Sequence, residues 1–99
     1  MQAQFVSREL GAKFDRIVRD GQEQYGYAGS APTTALRLEH ALNAEVYFAH
    51  AWAVADSAAL IAPSRDYQRW VDRRSKMAKY GEATRARILE LARIQAVVA

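Results

Sequence analysis

The chain contains no cysteine, which excludes a disulfide framework, a thiolate metal site and a cysteine nucleophile. No stretch of 18 uncharged apolar residues is present to cross a bilayer, and no basic-then-apolar segment opens the chain as a secretory signal. The cytoplasm is therefore the expected compartment. No short alternating β-branched run lies between turns, so no strand is expected. Glycine and proline are scarce, at five and two residues in 99, and punctuate the chain at few places. Large apolar side chains are also few. Val, Ile, Leu, Met, Phe and Trp together supply 25 residues, whereas alanine alone supplies 20. A core that thin suits one small domain and would gain from burial against a second copy.

What is present is helix-forming sequence and charge. The net charge is +3, and arginine outnumbers lysine 11 to 3, a bias in keeping with a GC-rich bacterial or phage genome. Charge and apolar content are too balanced for a disordered chain. The expected fold is all-α: a small bundle of three or four helices in a single domain over 1–99, with a long, largely buried central helix completed by homodimerisation. The first helix is expected over about 4–20, where Phe5, Val6, Leu10, Phe14, Ile17 and Val18 recur on one face and Gly21 offers a stop. Residues 21–33 carry three glycines, a serine and a proline without periodicity and read as a loop. Within it Tyr25 and Tyr27 flank Gly26, two rings available either to the core or to a partner.

A second helix is expected over 34–61, capped by Thr33 or Thr34 and stopped by Pro63. Apolar residues nearly encircle it. Leu38, Leu42, Val46, Ala49, Ala53 and Leu60 form one stripe, read as core. Ala44, Ala51, Ala55, Ala58 and Ala62 form a second, read as a close-packing dimer seam. The third helix is expected over 64–80 and a fourth over 82–98, the two being one bent helix if Gly81 is tolerated inside it. Its apolar last turn is expected to dock.

Charge is unevenly distributed. Residues 1–61 carry 5 basic and 7 acidic side chains, and residues 62–99 carry 9 and 4, so a −2 portion precedes a +5 portion. Arg65, Arg69, Arg73, Lys76, Lys79 and Arg87 fall on one helix face. Such a stripe suits an acidic protein surface, or phosphates through counterion release, or is simply a solvated face with acids interleaved. Nucleic-acid binding is the alternative, although no short helix pair resembles a helix-turn-helix. Arg74 and Arg85 lie nearer the apolar side, where they are placed to pair with Glu45 and Asp56 of the second helix.

His40, Asn43, Tyr47 and His50 share one stripe of the second helix and form a candidate polar site. Ten residues separate the histidines, about 15 Å along a helix, so both cannot ligate one ion. No cofactor or metal is assigned, and a helical metalloprotein or small enzyme using these histidines is the second alternative. No nucleophile elbow, phosphate loop or dinucleotide fingerprint is present, and no catalytic residue is assigned. The expected function is that of an accessory or regulatory protein that binds other proteins through the arginine face and the Tyr25/Tyr27 segment.

Overall fold

The computed structural model describes residues 6–98, and these form three helices and no strand. α1 spans Ser7–Ser30, α2 Thr34–Ile61 and α3 Ser64–Val98. The expected start of the first helix at Gln4 and Phe5 lies outside the described residues. Two short connections make consecutive helices antiparallel neighbours, so α1 and α3 run the same way on either side of α2. The bundle is a rod of 59 × 17 × 17 Å with a radius of gyration of 16.1 Å, where a compact chain of this length would have about 13 Å.

The cap of α2 is Thr33, whose hydroxyl accepts from the Leu36 amide at 3.1 Å. Ser64 is helical and does not cap α3, because the Pro63 carbonyl already accepts from the Asp66 and Tyr67 amides. Gly81 neither ends nor separates helices. It is buried within a continuous α3 of 35 residues.

The loop expected from residue 21 is helix instead, because α1 continues through Gly21, Gly26 and Gly29 to Ser30. Glycine disfavours a helix interior by about 1 kcal/mol relative to alanine, so tertiary contacts must hold this part. Ala28 is fully buried with Ala41 and Leu91, uniting all three helices. The Arg87 guanidinium donates to the Ala28 carbonyl at 3.2 Å, supplying a cation to the carbonyl end of α1. Gly21 itself is required for close approach: a Cβ there would lie 2.7 and 2.9 Å from two Phe48 ring carbons.

The main core gathers Phe14 and Ile17 of α1, Phe48 with the alanines of α2, and Trp70 and Met77 of α3. Phe14 meets the Trp70 ring edge-on at 6.0 Å, and Phe48 meets Tyr80 at 5.3 Å. Ala44, Ala51, Ala55 and Ala58 are at most 1% exposed. The alanine stripe of α2 is therefore the inner face of the bundle and not an outer seam. A middle helix that must touch two neighbours at once needs small side chains inward, and Phe14, Trp70 and Met77 fill the space from either side. The apolar end of α3 does not dock either, since Val97 and Val98 are 81% and 67% exposed.

Candidate protein-binding surfaces

Turning the alanines inward turns the other apolar stripe of α2 outward. Leu42, Val46, Ala49, Ala53 and Leu60 are all exposed, Val46 at 68% and Leu60 at 80%. The expectation that this stripe is core within the chain is overturned except at Leu38, which packs half-buried against Ala28, Ala41 and Leu91. Trp52, 40% exposed, flanks the stripe on the α3 side, where it borders a groove with Ala49, Met77, Ala78 and Arg85. The sequence could not orient α2, because a helix apolar all round gives no direction to its core. Part of the signal was size: Ala41, Ala44, Ala51, Ala55 and Ala58 face the neighbouring helices, while Leu42, Val46 and Leu60 face away.

The flank of α3 turned from α2 carries the basic residues. Arg65, Arg69, Lys76 and Lys79 are exposed. Arg69 lies 3.9 Å from Asp66 in a solvent-facing pair, and Arg65 and Lys79 make no ion pair among the described residues. Lys76 sits 5.7 Å from the Tyr80 ring centre. Two members of the predicted stripe are committed to the fold. Arg73 lies 4.4 Å over the Trp70 ring and 5.4 Å from Phe14, against Gly11, so it closes the seam between α1 and α3. Arg87 ties α3 to the end of α1 and also bonds Glu90 at 2.8 Å.

The opposite edge of α3 holds the paired arginines. Arg74 bonds Asp56 at 2.7 Å, and Arg85 approaches Glu45 at 4.0 Å, the two interhelical pairs expected from the sequence. These consume two acids of α2 and leave the far flank of α3 as the more basic one. Tyr25 and Tyr27 lie on α1 and not on a loop, 39% and 45% exposed. They point to different places. Tyr25 borders a cleft of about 300 Å³ between α1 and α3, floored by Phe48 and walled by Tyr80 and Thr84. Tyr27 stacks at 5.2 Å on His40.

The proposed polar stripe is split by the fold. His40 shares a hydrogen bond of 2.7 Å between its Nδ1 and Gln24 Oε1, and Asn43 donates to the same oxygen at 3.3 Å. This joins α1 to α2 and uses Gln24, a partner not singled out from sequence. Tyr47 packs against the core beside Gly21, while His50 is exposed. Among the described residues, no group of three His, Cys, Asp or Glu side chains could hold a metal ion. No described helix is long and apolar enough to cross a membrane. Comparison with protein-family models, with curated proteins and with solved structures found no match.

Proposed function

We propose that this protein is a binding module that works as a homodimer joined along the outer face of α2 and offers the basic flank of α3 to an acidic protein partner. The observation that carries the reading is the row of solvent-facing Leu42, Val46 and Leu60 in line with Ala49 and Ala53 on one face of α2. The chain exposes 6604 Å², against about 5,700 Å² for a typical monomer of its mass. The outer strip of α2 is about 40 Å long and one helix wide, on the order of 600–800 Å² per copy, the scale of a standard interface.

Sedimentation equilibrium tests the first half. The native chain is expected to sediment as a dimer, and Val46→Glu as a monomer with unchanged helical circular dichroism. A native monomer at all concentrations refutes the dimer. The second half rests on Arg65 and Lys79, which make no ion pair among the described residues and share the α3 flank with Arg69. Arg65→Glu combined with Arg69→Glu is expected to abolish capture of an acidic partner from host extract while leaving the thermal midpoint within a few degrees. Capture of duplex DNA or RNA instead, weakening steeply between 50 and 200 mM salt, refutes the protein-partner reading in favour of phosphate contacts.

A further inference from the structure

We infer that the occupant of the α2 face is a second copy docked antiparallel, with a two-fold axis at the level of Ala51. This rests on the dimer reading above and adds its geometry. The exposed apolar positions 42, 46, 49, 53 and 60 alternate spacings of four and three, with Asp56 completing the series. They form a heptad stripe along a helix that has no partner on that side.

An antiparallel pair about position 51 sets Leu42 against Leu60 of the copy and Ala49 against Ala53 of the copy. Small residues therefore meet at the crossing point, where two straight helices come closest. Leucines meet toward both ends, where the gap widens. Val46 then faces the aspartate already bound by Arg74, so no free carboxylate is buried at that layer. Sliding the copy by one heptad pairs Leu42 with Ala53 and Val46 with Ala49, but it also sets Glu39 against Asp56 of the copy. That shift places acid opposite acid in both symmetry-related layers and is disfavoured. A parallel pair stacks every residue on itself, including Asp56 and Glu39.

The absence of cysteine makes the register readable by disulfide trapping. Leu42→Cys with Leu60→Cys cannot close within one chain, because the two positions are about 27 Å apart along α2. Under mild oxidation this double variant is expected to give a covalent dimer at least about 10-fold faster than Leu42→Cys with Ala53→Cys. Leu42→Cys alone is expected to give none. Faster trapping of the 42/53 pair establishes the shifted register and overturns the inference while keeping the dimer. Trapping of Leu42→Cys alone establishes a parallel pair and also overturns it. Should the cysteine pairs weaken association, the register is read from the single variant Ala53→Cys. Its two copies lie about 6 Å apart along the axis in the proposed dimer and about 16 Å apart in the shifted one. A short bifunctional maleimide linker then has to join Ala53→Cys but not Leu60→Cys; an Ala53→Cys dimer that is not joined, or linkage of both variants, overturns the inference. Monomeric sedimentation by every variant and by the native chain overturns the dimer itself.

Discussion

Single positions in this bundle separate sharply by what their neighbours can yield. Gly21 is pressed by the Phe48 ring at 2.7 Å and by Tyr47 Cβ at 3.1 Å, and Phe48 is itself 3% exposed and cannot move away. Gly81 meets only the flexible Arg85 guanidinium, at 3.6 Å, which is ordinary contact. Gly21→Ala is therefore expected to cost about 1–3 kcal/mol through overpacking. Gly81→Ala is expected to add about 0.5–1 kcal/mol by favouring helix. Urea denaturation of the two variants checks both signs, and equal effects would mean that α1 is not held as closely to α2 as the distances imply. Both glycines are buried, so burial alone does not distinguish them. Arg73 teaches the same caution for charge: a residue that reads as a solvent-facing cation is stacked on Trp70, its aliphatic stem and planar head covering the indole.

At the scale of elements, the sequence expressed the helices well and their mutual orientation poorly. α2 was legible to the residue, because Thr33 and Pro63 bracket an unbroken run of helix formers. The interhelical pairs of Arg74 with Asp56 and Arg85 with Glu45 were also legible, since acids inside an apolar helix require partners. The last third of α1 was not, because its helicity comes from distant contacts with Ala41, His40, Leu91 and Arg87 that local glycine content opposes. Leu91 is the pivot of that second cluster at 2% exposure, whereas Leu89, two residues earlier, is 65% exposed. Leu91→Ala is expected to cost about 2–5 kcal/mol and Leu89→Ala less than about 0.5 kcal/mol. Amide exchange should report the former by a selective loss of protection in the 22–30 part of α1. A uniform loss across the chain would show that α1 melts only with the whole bundle.

For the whole molecule, the two faces argue for different partners because one is apolar, the other is basic, and they lie on different helices. The outer stripe of α2 is apolar and self-matching, and the basic flank of α3 faces away from it. A dimer sealed along α2 would leave both basic flanks free, one on each side, and so would present two equivalent sites for acidic partners. The same arrangement has a thermodynamic signature that does not depend on knowing those partners. When unfolding also separates two copies, each tenfold rise in concentration adds about 1.4 kcal/mol to the dimer. The unfolding entropy of two 99-residue chains is about 0.4 kcal/mol/K, so the midpoint should rise about 3 °C per tenfold. Scanning calorimetry across two decades of concentration is expected to show that rise for the native chain and none for Val46→Glu. Because Val46 is 68% exposed in the single copy, the variant should retain the full monomer transition at its own fixed midpoint. A native midpoint independent of concentration would place the α2 stripe in contact with water throughout unfolding, and the case for a second copy would fall with it.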